Sequence, residues 1–72
     1  MIRRTRTIWS RPGNPPKSVA VALGITRPQL RYAIHKIKDD AGLGPGDSVK
    51  IWDDGSITDD ADEWIGNIYD EI

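Results

Sequence analysis

The stretch TRPQLRYAIHKIKDD, residues 26–40, is the part of the chain whose structure the sequence constrains most. Thr26 and Gln29 have the spacing of a capping box, in which each side chain accepts a hydrogen bond from the other residue's backbone N–H. Pro28 is tolerated because a first-turn N–H has no partner within the helix. The sequence therefore predicts a capped amphipathic helix that ends at Gly42. Its apolar residues recur at helical spacing, at Leu30, Ala33, Ile34, Ile37 and Ala41.

A shorter helix is predicted directly before it by the segment NPPKSVAVALG, residues 14–24. The side chain of Asn14 can cap a helix, and Pro15 suits the first helical position. Gly24 accepts the positive φ that often ends a helix. The two helices would therefore be joined by a short turn. The apolar residues of the first helix are Val19, Ala22 and Leu23.

The second half of the chain carries the pattern of short antiparallel strands. SVKIW places Val49 and Ile51 on one face of a strand, DDGS is a turn, and SIT is the returning strand. The apolar spacing of residues 61–72 also fits a helix, but Gly66 and the Asn after it favour a third strand over about residues 63–68. The predicted fold is α+β, with a helix-turn-helix-like pair of short helices followed by a small antiparallel β-meander.

Residues 1–13, MIRRTRTIWSRPG, are predicted to form a basic N-terminal arm in front of a single small domain, residues 14–72. Alternation in the arm permits a short strand that Pro12 would end, and a partly disordered tail is the alternative. An Arg-rich arm can follow a phosphate backbone, and Trp9 is available for stacking.

Charge is divided between the two halves of the sequence. Residues 1–38 hold nine basic and no acidic residues, whereas residues 39–72 hold eleven acidic residues and one Lys, so the net charge is −1. Such an asymmetry is informative about partners. Two hypotheses explain it, and they are compatible: the halves attract each other within the fold, or a basic surface binds phosphate.

The second helix collects its basic residues on one side. At 100° per residue, Arg27, Arg31, His35 and Lys38 lie within an arc of roughly 80° beside the apolar stripe. Cations and an exposed aromatic are the residue types that contact phosphates and bases. A solvated charged face is the alternative. The residues predicted to bind nucleic acid are Arg27, Gln29, Arg31, Tyr32 and Lys36 on the helix, and Arg3, Arg4, Arg6 and Trp9 in the arm.

The catalytic residues of a metal-independent ribonuclease would be His35 and Lys38. His35 is the one histidine, which excludes a two-histidine mechanism. It could act as general base or acid, while Lys38 or a neighbouring cation stabilises the phosphorane. The alternative is an exposed helical histidine with no role. No cofactor or metal is predicted, because the chain has no Cys and its carboxylates fit no calcium-loop spacing.

Two resemblances bear on function. AVALGITRPQLRYAI resembles the helix-turn-helix of bacterial regulators over about 20 residues, and the hairpin VKIWDDGSIT would then stand where a winged-helix protein has its wing. The order of IHKIK, GLGP, the Gly-containing turn and EWIGNIYDE is similar to C-terminal modules of bacterial polymorphic toxins, of the contact-dependent-inhibition and Rhs types. That resemblance, over about 50 residues, implies a nuclease, an immunity protein as partner and delivery from another cell.

The sequence thus predicts a small nucleic-acid-binding domain, with a toxin-type ribonuclease acting on RNA as the first hypothesis. A non-enzymatic, winged helix-turn-helix regulator that binds DNA is the alternative. An acidic protein-interaction module or nucleic-acid mimic is a third hypothesis. No apolar run is long enough for a signal peptide or a membrane span, so no membrane partner is expected. The absence of Cys fits a reducing cytoplasm as the place of action. The oligomeric state is left open.

Overall fold

Two helices and four strands follow one another in a computed structural model that describes residues 6–11, 13, 15–44 and 46–72. A 3₁₀ turn, Ile68–Asp70, comes last. Arg3, Arg4 and Asn14 lie outside the described residues, so their predicted roles gain no structural account. The elements are β1 (Thr7–Arg11), α1 (Lys17–Leu23), α2 (Arg27–Asp40), β2 (Val49–Trp52), β3 (Ser56–Thr58) and β4 (Trp64–Asn67).

The two helices end as the sequence predicts, but α1 begins two residues later than expected. Pro15 was predicted at the first helical position, yet Pro16 is the capping residue and Lys17 the first helical one. A residue that precedes a proline is biased away from the α conformation, which keeps Pro15 out of the helix. Gly24 ends α1 with a φ of +71°. The predicted capping box of α2 is confirmed.

The sheet is a four-stranded antiparallel meander with the order β1-β2-β3-β4. The three predicted strands are confirmed in β2, β3 and β4. The fourth, β1, comes from the predicted arm and pairs Trp9 with Ile51 and Arg11 with Val49. The β2–β3 hairpin therefore lies in the middle of the sheet, whereas a wing would project as a free pair of strands. The α+β class is confirmed.

One face of the sheet packs against the helices. Ile51 and Ile57 pair across β2 and β3, and both are fully buried. On β4, Gly66 lies directly under α2, where an added Cβ would come within 2.9 Å of Ile37 Cγ1. This close approach fixes the distance between α2 and the sheet. The core also contains Val19, Ala20, Leu23, Leu30, Ala33, Ile34, Val49 and Ile68.

The C-terminal residues fasten the sheet to the end of α1. The hydroxyl of Tyr69 donates a hydrogen bond to the carbonyl of Leu23 at 2.6 Å. Its ring lies over Gly55 of the β2–β3 turn, where an added Cβ would be 2.7 Å from the ring. No helix within the described residues has the length and apolar character needed to cross a membrane.

Candidate nucleic-acid interface

Six of the seven site residues predicted on α2 are exposed, and five of them are grouped as one surface, with Gln29 set apart because it is engaged in the capping box. The buried residues of α2 recur every three or four positions and form its inward side, so the other positions face solvent. The Tyr ring on the outward side is 59% exposed. We call this surface the basic face, and it consists of Arg27, Arg31, Tyr32, His35 and Lys36, all exposed.

The cations of the basic face have no acidic partner among the described residues. Within the described residues, a salt bridge joins Lys50 to Asp62 at 2.6 Å. Both residues belong to the acidic half of the chain, residues 39–72. Arg27 lies in the first turn of α2, which contains no acidic residue. Since the N-terminal end of a helix carries a partial positive charge, the helix and its arginines attract anions together. The basic face is therefore available for an external anion.

Lys38 does not contribute to the basic face, although its helical angle places it in the predicted stripe. Its exposure is 6%, because the chain folds back after α2 and the N–H of Leu43 donates to the Lys38 carbonyl at 2.8 Å. Lys38 and His35 instead line one small cavity of about 110 Å³, together with Asp39 and Leu43. The structure thus brings together the two residues predicted to be catalytic.

Gln29 has a structural role in addition to any contact with a base. Its side-chain oxygen accepts a hydrogen bond from the N–H of Thr26 at 2.9 Å, and its own N–H donates to the Thr26 hydroxyl at 3.2 Å. A bidentate contact with adenine needs both the oxygen and the nitrogen of the carboxamide. The capping box therefore competes with base recognition by Gln29.

The described residues of the predicted arm lie on a different part of the molecule from α2. Arg6 is exposed, and its carbonyl accepts a hydrogen bond from the N–H of Asp53 at 3.1 Å. Trp9 is half-buried against the core, and the Arg11 guanidinium lies 5.6 Å from its ring centroid. Both line a cavity of about 430 Å³ that also contacts the start of α1. Arg11 is not among the residues that the sequence predicts to bind nucleic acid. Its position two residues after Trp9 was a usable signal, because residues i and i+2 of a strand lie on the same face.

Several carboxylates of the acidic half stabilise turns. Asp59 accepts hydrogen bonds from the N–H groups of Ala61 and Glu63, and Asp60 accepts one from the Ser48 hydroxyl. Asp54 accepts one from the N–H of Ser56. Within the residues that the structure describes, no group of three or more His, Asp or Glu side chains could hold a metal ion.

Comparisons with family models, with curated proteins and with solved structures give no match for this chain. The resemblances to helix-turn-helix regulators and to toxin modules therefore depend on the quoted sequence segments alone.

Proposed function

We propose that this domain binds nucleic acid through the basic face of α2. The observation that carries the proposal is the set of exposed cations without acidic partners, in a chain that contains eleven acidic residues. Phosphate contacts by Arg and Lys supply most of the sequence-independent affinity for nucleic acid. A single helical surface with Arg27, Arg31 and Lys36 can provide about three such contacts.

Charged residues at both ends of α2 are placed unfavourably for the stability of the helix, which favours a role in binding for the basic ones. Arg27 at the positive end and Asp39 and Asp40 at the negative end are each unfavourable for the helix, by about 0.3–1 kcal/mol per charge. A helix arranged for stability would carry the opposite signs. An anionic ligand at the first turns of α2 would offset the cost at Arg27, because it interacts favourably with both the arginines and the helix N-terminus.

The proposal is tested by two charge reversals that change the net charge equally. Arg31→Glu alters the basic face, whereas Lys17→Glu alters an exposed residue on α1. Binding to a fluorescein-labelled 12-nucleotide RNA is measured by anisotropy at 50 mM salt. Arg31→Glu should weaken binding by about tenfold or more, since an attraction becomes a repulsion. Equal losses in the two variants would show that only the net charge matters and would contradict the proposal.

RNA cleavage at His35 is a second candidate function, favoured by the cavity that His35 shares with Lys38. A neutral imidazole could take the proton of a ribose 2′-hydroxyl, whose oxygen then attacks the adjacent phosphorus. The bond between phosphorus and the 5′-oxygen breaks, and that oxygen takes a proton from the imidazolium formed in the first step, which restores the neutral imidazole. The products are a 2′,3′-cyclic phosphate and a 5′-hydroxyl. Lys38, or a neighbouring cation such as Lys36 or Arg31, would stabilise the phosphorane charge.

The cleavage hypothesis is tested with purified protein, total RNA and EDTA. General acid–base catalysis contributes about 10²–10⁴-fold, so His35→Ala should slow cleavage by that factor. The same variant should retain most of the parent's affinity for a 2′-O-methyl RNA, which cannot be cut by this route, because Arg27, Arg31 and Lys36 of the basic face are unchanged. Intact RNA after prolonged incubation with the parent protein would eliminate cleavage but leave the binding proposal standing.

A further inference from the structure

Tyr32 is the one aromatic side chain of the basic face, and the described part of the chain gives it no structural role. It is 59% exposed and forms no hydrogen bond with the residues that the structure describes. Residues three and four positions apart are neighbours on a helix surface. The ring therefore has Gln29 on one side and His35 and Lys36 on the other.

The other exposed aromatic residues differ from Tyr32 in their surroundings. Tyr69 is 45% exposed, but its hydroxyl donates to Leu23 and its ring covers Gly55. Trp64 is 56% exposed on β4, next to Glu63 and close to the other acidic residues of the 59–63 loop. Within the residues that the structure describes, Tyr32 is the exposed ring that lies beside basic side chains, those of His35 and Lys36.

The surroundings of α2 are poorly suited to reading the edges of paired bases. The carboxamide of Gln29 is engaged in the capping box. The hairpin that would act as a wing lies between β1 and β4 in the sheet, and its turn contains Asp53 and Asp54. Negative charge at that position would repel a duplex backbone. The ring of Tyr32 is the flat aromatic surface that the basic face offers to the face of a base, whereas Arg27 and Arg31 carry the charge for phosphate contacts.

We propose that the basic face binds a single-stranded segment of nucleic acid, with one unpaired base stacked on Tyr32 and the flanking phosphates on Arg31 and Lys36. This inference rests on the proposed nucleic-acid binding and specifies its ligand. In a duplex both faces of each base are covered by neighbouring bases, so a side-chain ring can stack only on an unpaired base. Ribose and deoxyribose strands satisfy the proposal equally, because the stacked base is common to both.

The experiment compares a labelled 12-nucleotide 2′-O-methyl RNA of mixed sequence with the same strand annealed to its complement. The parent protein should bind the single strand at least about tenfold more tightly than the duplex at equal salt. Tyr32→Ala should weaken single-strand binding by about 5- to 150-fold, which is the loss expected for one stacked base. Tyr32→Phe should retain binding, because it keeps the ring. Trp64→Ala is the matched control, since it removes an equally exposed ring from the acidic half.

Each outcome supports or overturns the inference. Equal affinities for strand and duplex, or equal losses of both in Tyr32→Ala, would overturn single-strand stacking while nucleic-acid binding stands. A loss in Tyr32→Phe as large as in Tyr32→Ala would also overturn stacking and assign the effect to the hydroxyl. If the parent protein binds neither ligand, nucleic-acid binding and stacking both fail. Circular dichroism melting of each variant separates a loss of binding from a loss of fold.

Discussion

The position of a basic residue on α2 decides whether its charge is exposed to solvent or buried. Arg27 lies exposed in the first turn, where the helix end and the guanidinium repel each other and both attract anions. Lys38 has the same sign but is 6% exposed, so it belongs to the packing around His35 and Leu43. The exposed positive charge of this helix therefore comes from the basic face, and the exposed Asp39 and Asp40 carry negative charge in its last turn.

Arg27→Glu should have opposite effects on stability and on binding. A negative charge in the first turn is favourable for the helix, so the free energy of unfolding should rise by about 0.3–1 kcal/mol. The same change removes a phosphate contact, so RNA affinity should fall. Urea denaturation and anisotropy on the same sample measure the two effects. A variant that is less stable and also binds less would point to damage of the fold.

Gly66→Ala should destabilise the domain because its Cβ would meet the Ile37 side chain at 2.9 Å. Overpacking of this kind costs about 1–3 kcal/mol. Gly46→Ala is the matched control, since an added Cβ at that position has no atom within 4 Å. Both variants are measured by urea denaturation. Equal stabilities would show that α2 can move away from β4 at little cost.

At the level of elements, local signals predicted the two helices and the strands β2, β3 and β4, and they predicted α2 in most detail, whereas non-local contacts decided the pairing of β1 and the burial of Lys38. The capping box, the apolar spacing and Gly42 all lie within the helix or next to it, so the sequence was sufficient. The pairing of β1 with β2 joins Trp9 to Ile51, more than 40 residues later, and no local pattern specifies it. The burial of Lys38 depends on the chain folding back at Leu43, which helical periodicity does not include.

Thr26→Ala should weaken the folding of α2 without altering its basic face. Loss of an N-cap side chain costs about 1 kcal/mol, so the urea midpoint should fall. Under conditions where the variant is folded, its RNA affinity should equal that of the parent. Thr26→Ser, which keeps the hydroxyl, should restore stability. A large affinity loss in folded Thr26→Ala would mean that the cap itself contacts the ligand.

At the scale of the whole molecule, a net charge of −1 is compatible with nucleic-acid binding. The described molecule extends 26 × 25 × 20 Å, and the Debye length at physiological ionic strength is about 8 Å. Acidic residues more than a Debye length from the first turns of α2 are therefore largely screened from a ligand there, whereas Asp39 and Asp40 lie on α2 itself, at its other end. Carboxylates such as Asp59 and Asp60 are also engaged in turns of the sheet. The local charge of the basic face governs the interaction.

The salt dependence of RNA binding reports on the phosphate contacts made by the basic face. For a single strand, the logarithm of the binding constant falls with the logarithm of salt concentration with a slope of about −0.7 per phosphate contact, so three contacts give about −2. The triple variant Arg27→Gln, Arg31→Gln, Lys36→Gln should bind weakly with a slope near zero. A parent protein with no salt dependence, or a triple variant with the slope and affinity of the parent, would contradict binding through the basic face of α2.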